Sequence, residues 1–181
     1  MIYLLVPWRK SLSVEITLVI SNHDIECVAD LARKIWQQHF TPIIGESQVE
    51  YMLTNFQNVN AIKTQINDGL EYYLVKVEGQ HIGYLGLNHD FEQKKMMLSK
   101  IYVEYPSQKK GVGQSILNFV ENRCLESGFS SVWLTVNKFN DNTIAWYKRR
   151  GFVIIDKVKK DIGDGFFMDD YFMEKMISTD I

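Results

Sequence analysis

Ahead of residue 111 the chain runs Ile101-Tyr102-Val103-Glu104-Tyr105-Pro106-Ser107-Gln108-Lys109-Lys110. Gly111-Val112-Gly113 then opens a segment with apolar residues at Ile116, Leu117, Val120 and Cys124. A strand-like run must therefore feed a helix through a short loop whose end carries almost no side chains. Amides in the first turn of a helix have no partner within it, and the macrodipole adds positive potential there. Such a start binds anions, phosphate above all, and glycine lets the anion reach the backbone. Lys109 and Lys110 supply compact positive charge beside it. The bland alternative is a tight turn with solvated lysines. The segment is not a P-loop, because Gly-Lys-Ser/Thr is absent. It is not the dinucleotide fingerprint either, because the third glycine and a later acidic residue are missing.

Around this junction the hydrophobic period changes twice. Val14 to Ile20 reads as a strand, Ser21 to Asp24 as a capping segment, and Ile25, Val28, Ala29, Ala32, Ile35 and Trp36 as a helical stripe. Pro42 to Gly45 reads as a loop, followed by short helices over Ser47 to Phe56 and about Asn58 to Asn67. Leu70 to Val77, Ile82 to Leu87 and Met97 to Val103 are three strands. A turn at Glu78-Gly79-Gln80 joins the first two, and the polar stretch Asn88 to Lys95 leads to the third. A helix from Val112 to Leu125 stops at Gly128. Ser131 to Val136 is a strand, Thr143 to Arg150 a helix, and Phe152 to Val158 and Tyr171 to Ile177 the last strands. The order predicts one α/β domain over residues 1–181 with a mixed sheet, residues 1–13 lying at its periphery.

The chain has 181 residues, 46% hydrophobic and 23% charged, which suits a single packed core. A net charge of -2 argues against nucleic acid as the main partner. Cys27 and Cys124 lack metal-ligand spacing and form no disulfide framework, so no metal is expected and a reducing compartment fits. The opening apolar run is broken at once by Pro7-Trp8-Arg9-Lys10, unlike a signal peptide, and no run is long enough to cross a bilayer. The expectation is a cytoplasmic protein with no membrane partner.

A second block follows the first: Asn137, Asn140, Asn142, Ala145, Trp146, Tyr147, then Lys148-Arg149-Arg150-Gly151-Phe152. Gln108-Lys109-Lys110-Gly111-Val112-Gly113 preceded by Ile-Tyr-Val, together with this block and the ending Met168-Asp169-Asp170-Tyr171, resembles the GNAT superfamily of N-acetyltransferases. The likeness is strong from about Leu70 onward, and similar to the diamine and polyamine branch. It implies a mostly antiparallel sheet of about seven strands, splayed between the fourth and fifth and flanked by helices. It also implies acetyl-coenzyme A as co-substrate and a primary amine as acceptor. Ile101, Tyr102 and Val103 would meet the pantetheine arm, the amides of Lys109, Lys110, Gly111, Val112, Gly113 and Gln114 the diphosphate, with Gln108 opening the loop. Asn140 would contact the cofactor arm, and Tyr147 would sit near the thioester sulfur. Relatives are often homodimers, and the edges of the final hairpin offer such a contact.

The chemistry suits these residue types. A phenol with an ordinary pKa of about 10 is protonated at neutral pH and can donate to a leaving thiolate. The Val103 amide is the matching donor to the carbonyl oxygen. Taken without its flanking block, Tyr147 reads as an ordinary core aromatic. A base is needed for an amine of pKa about 10.4. Some relatives place a glutamate where this chain has Ser99, while Glu104 reads as a solvated charge or a base acting through water, so the base stays unassigned. Pro106 falls one place later than in the family pattern. Trp36, His39, Phe40, Glu50 and Tyr51, with Phe166, Phe167, Asp169 and Asp170, are placed around the acceptor, where rings and carboxylates suit a cation. Singly, each aromatic reads as core and His39 as helix surface. Transfer to a protein amine, and a catalytically weak CoA-binding regulatory module, stay open as alternatives.

Overall fold

The computed structural model describes residues 13–107 and 111–177. Its strands are β1 (Val14–Leu18), β2 (Glu71–Val77), β3 (Gln80–Asp90), β4 (Lys95–Val103), β5 (Ser131–Asn137), β6 (Val153–Gly163) and β7 (Phe166–Met176). The helices are α1 (Asn22–His39), α2 (Thr41–Ile44), α3 (Glu46–Phe56), α4 (Val59–Asn67), α5 (Val112–Glu126) and α6 (Asp141–Lys148). All seven strands join one sheet in the order β1-β2-β3-β4-β5-β7-β6. Every pairing is antiparallel except β4 with β5.

Local chemistry accounts for the main boundaries. α1 starts in a capping box: the Asp24 amide donates to Ser21 Oγ at 3.1 Å and the Ser21 amide to Asp24 Oδ2 at 3.0 Å. Its stripe Ile25, Val28, Leu31, Ala32, Ile35 and Trp36 is buried. The β2–β3 and β6–β7 hairpins close on two-residue turns, Glu78-Gly79 and Asp164-Gly165, with both residues of each at positive φ.

Two expectations change. Pro42 to Gly45 is not a loop throughout, because Thr41–Ile44 forms a short helix with proline in its first turn, where the missing N–H costs nothing. The strands β3, β6 and β7 also outrun their apolar cores. Polar residues such as His89, Asp90 and Lys159 to Asp161 are held in strands by ladder pairing, which hydrophobic alternation does not report.

The sheet packs helices on both faces. α5 and α6 cover a core containing Val75, Leu85, Met96, Leu98, Ile116 and Val120. On the other face α1, α3 and α4 cover Tyr72, Leu74 and Tyr84. Within β4 the register against β3 slips, so that Gly86 meets Lys100 and Leu87 meets Leu98, which leaves Ser99 as the extra residue of a bulge. The bulge turns Tyr102 to the α1 face while Ile101 and Val103 stay on the α5 face. β4 and β5 pair only through Lys95–Met97 and Ser131–Trp133, yet β4 runs on to Val103 and β5 to Asn137. The sheet therefore opens into a wedge at the C-terminal ends of its two parallel strands. No helix among the described residues is long and apolar enough to cross a membrane.

Candidate active site

On one side of the wedge stands the start of α5. Gly111 caps it with a φ of 82°, a left-handed conformation that glycine adopts without strain. The Gln114 and Ser115 amides donate to the Gly111 carbonyl at 3.0 and 3.1 Å. Val112 and Gly113 thus supply the amides ahead of the first internal bond, whereas the Gln114 amide, grouped with them from the sequence, is already engaged. A Cβ on Gly113 would lie 2.8 Å from the Trp146 ring, so the indole packs flush against the backbone. The Arg150 guanidinium stacks 3.9 Å above the Trp146 ring centre, and its Nε donates to Gln114 Oε1 at 2.9 Å. This brace places a cation beside the helix start; Trp146 and Arg150 both stand in the second sequence block, but neither was given a role there. Their i, i+4 spacing on α6 was the available signal. Gln108, Lys109 and Lys110 lie outside the described residues.

Further in, α6 places Tyr147 against Phe152 and Trp146, with ring centres 5.3 and 5.0 Å away. Tyr147 is 3% exposed, and burial raises its pKa, so the phenol keeps its proton across the neutral range. Asn140, buried just before α6, donates from Nδ2 to His39 Nε2 at 3.2 Å. His39 is therefore not a plain helix-surface residue. Its Nε2 accepts, Nδ1 carries the ring proton, and burial holds its pKa below the ordinary value. Val103 ends β4 where that strand has left β5. Tyr102 packs among Trp36, Phe40 and Tyr84, with ring centres 5.5, 5.8 and 5.2 Å away.

Glu104 is paired to Lys34 at 2.8 Å and only 16% exposed, so its carboxylate is neither solvated nor unengaged. Asp169 is ion-paired with Lys138. Beside the wedge, the end of α1, α3 and the β6–β7 hairpin tip enclose a groove of about 1180 Å³ lined by Glu46, Glu50, Tyr51, Asp164 and Phe166 among others. Tyr51 donates to the Ile162 carbonyl and Gln48 to that of Phe167, which ties the hairpin to α3. A smaller pocket of about 350 Å³ is lined by Ile35, Gln38, His39 and Tyr105.

A wedge between two parallel strands, with a glycine-opened helix at its mouth, is what the sequence resemblance implies, and the acetyltransferase (GNAT) family matches residues 30–152. The chain belongs to the GNAT family. Acetyl-coenzyme A is that family's co-substrate. A 32% identical relative is an uncharacterized N-acetyltransferase in the pepI 3' region of Lactobacillus delbrueckii subsp. lactis, matched over 46% of this chain and 51% of its own length. N-alpha-acetyltransferase 50 of Danio rerio is 31% identical over 40% of this chain and 44% of its own. The chain thus spans about half the length of the curated relatives it matches. Among solved structures, the PaiA N-acetyltransferase of Thermoplasma acidophilum in complex with coenzyme A superposes with a TM-score of 0.73. It is 22% identical, over 91% of this chain and 99% of that one. That likeness shows that the GNAT fold extends to the N-terminal helices.

Proposed function

We propose that this GNAT chain is an enzyme that moves an acetyl group from acetyl-coenzyme A to a primary amine, by direct attack in a ternary complex. The observation that carries the reading is the abrupt end of β4–β5 pairing after Met97, with the α5 start beyond it. An extended acyl-pantetheine arm fills such a gap and uses the strand-end groups of Ile101 to Val103. The diphosphate rests on the amides of Val112 and Gly113, and the positive charge of Lys109 and Lys110 suits it. Asn140 borders the arm.

The amine nitrogen attacks the thioester carbonyl, whose oxygen accepts from the Val103 amide. As the tetrahedral adduct collapses, the sulfur leaves with the bonding pair and takes the Tyr147 proton. The acceptor in this reading is a small cationic amine of the polyamine class. Glu46 and Asp164 give the groove negative charge, Glu50 adds a carboxylate paired with Arg33 at 3.8 Å, and Tyr51 and Phe166 offer ring faces to methylenes and ammonium groups. The name of the zebrafish relative supports a second reading, transfer to the N-terminal amine of a protein.

Calorimetry with acetyl-coenzyme A, then thiol release with a panel of polyamines and N-terminal peptides, tests both. Turnover of spermidine over peptides supports the first reading and the reverse order the second. Binding without turnover of any amine points to a regulatory module. On β6, whose residues are largely exposed, Val153 and Ile155 offer an edge for a homodimer, which light scattering would detect.

A further inference from the structure

The transferase reading leaves the amine's proton without an acceptor, and the obvious candidates are spent. Ser99 is the extra residue of the β4 bulge, Glu104 is ion-paired to Lys34, and His39 Nε2 already accepts from Asn140. One carboxylate remains at the wedge. Asp170 lies on β7 opposite Asn137, the last residue of β5, beyond the point where β4 and β5 part. Its neighbours Tyr171 and Met173 enter the α5 core, so alternation turns Asp170 to the α1 face, the face of Tyr102. It is 4% exposed, and Oδ1 has no hydrogen-bond partner among the described residues. A native fold rarely leaves a buried carboxylate oxygen unpaired unless a ligand or water completes it.

We infer that the Asp170 carboxylate takes the proton from the acceptor nitrogen during acetyl transfer, an inference that rests on the transferase reading above. The neutral amine's lone pair forms the C–N bond and the nitrogen gives its proton to Asp170. The C–S bond breaks, and the sulfur takes the bonding pair and the Tyr147 proton. The proton on Asp170 then returns to the Tyr147 phenolate through solvent, so that amine and thioester become amide and thiol with nothing left over. Burial, with Asp169 as a lesser cause, pushes the Asp170 carboxyl up to about 6, ionised at neutral pH yet more basic than a surface aspartate. The titratable groups that act on it are Tyr102 on β4 and Asp169 with its partner Lys138, while Lys157 and Lys159, flanking its β6 partner Val158, alternate to the opposite face.

The experiment compares wild type and Asp170→Asn with acetyl-coenzyme A and the best amine of the panel. The expected result is a fall of at least a hundredfold in kcat/KM with acetyl-coenzyme A affinity within twofold of wild type. In wild type, log kcat/KM should climb with slope two below about pH 6 and slope one above it, where only the amine titrates. The variant should show slope one throughout. Unchanged turnover in D170N, or a break near pH 6 that survives in it, overturns the assignment and points to His39 or another group. If D170N does not fold, the absence of a break in wild type overturns it equally. Failure of wild type to bind acetyl-coenzyme A overturns the transferase reading itself, an outcome distinct from either.

Discussion

The two faces of the sheet are built on different principles. Under α5 and α6 the centre of the core is aliphatic: Val75, Leu85, Leu87, Met96, Ile116, Leu117, Val120 and Val132 are fully buried, and polar side chains of that face gather at one end, where Tyr73 and Arg123 meet Glu71 at 2.5 and 3.3 Å. Under α1, α3 and α4 the packing carries polar atoms inward. Tyr72 and Lys100 both donate to Gln65 Oε1, at 2.7 and 2.8 Å, and Tyr84 donates to the buried Gln57 at 3.2 Å. The first face holds the helix start and Tyr147 against a mainly apolar frame. The second gives up apolar burial for directional contacts. On the transferase reading proposed above, donor recognition would rest on backbone and shape, and acceptor recognition on side chains.

The largest test of that division is Tyr147→Phe. On the mainly apolar face the ring keeps its packing, so the loss should be chemical: kcat down about a hundredfold or more, with acetyl-coenzyme A affinity unchanged by calorimetry. An equal loss of affinity would mean that the phenol holds the cofactor in place.

Next comes Lys100, the half-buried cation of the polar face. Burial lowers its pKa from the usual 10.5 to about 8. The folded state then binds fewer protons than the unfolded chain, so stability rises as pH climbs from about 8 through 10.5. At pH 7 the cost is at most about 3–4 kcal/mol, for the drop from 10.5 to about 8 at roughly 1.36 kcal/mol per pKa unit. Denaturant melts should show Lys100→Met more stable than wild type at pH 7, with the gap closing as pH rises from about 8 to 10. The buried tyrosines, whose raised pKa values lower stability near pH 10, act equally on both proteins. A gap that does not change with pH would remove the contrast between the faces.

Gly113→Ala returns to the donor side. Its Cβ would press on the Trp146 ring at 2.8 Å, shifting the indole and the Arg150 stack. Acetyl-coenzyme A affinity should fall roughly tenfold, within the usual range for overpacking, with the change read by calorimetry. The smallest effect belongs to the groove. Removing two charges there by Glu50→Gln with Asp164→Asn should raise KM for a polyamine about threefold, as expected of exposed ion pairs. Rising salt should shrink the difference, and kcat should hold.

The parts of the fold that were readable from sequence are those fixed by local chemistry. The α1 capping box, the turn at Glu78-Gly79 and the helix stop at Gly128 each rest on residues a few positions apart. The full length of β6 and β7 was hidden because polar residues extend a strand only when a partner is present to pair with. The site divides in the same way. Gly111, Gly113 and Tyr147 sit in compact blocks whose spacing carries their meaning. The resemblance placed His39 and Asp170 near the acceptor, but their partners were hidden, since His39 meets Asn140 across 101 positions and Asp170 reaches the wedge only through β5–β7 pairing.

By itself, then, the sequence determined the elements, the glycine-opened helix and the family, because each depends on near neighbours and backbone preference. Tertiary structure alone decided where β4 and β5 part, which face Lys100 and Tyr102 occupy after the Ser99 bulge, and which carboxylates stay unpaired. Those outcomes depend on contacts between distant segments and on burial, and a one-residue slip in register is enough to reverse them.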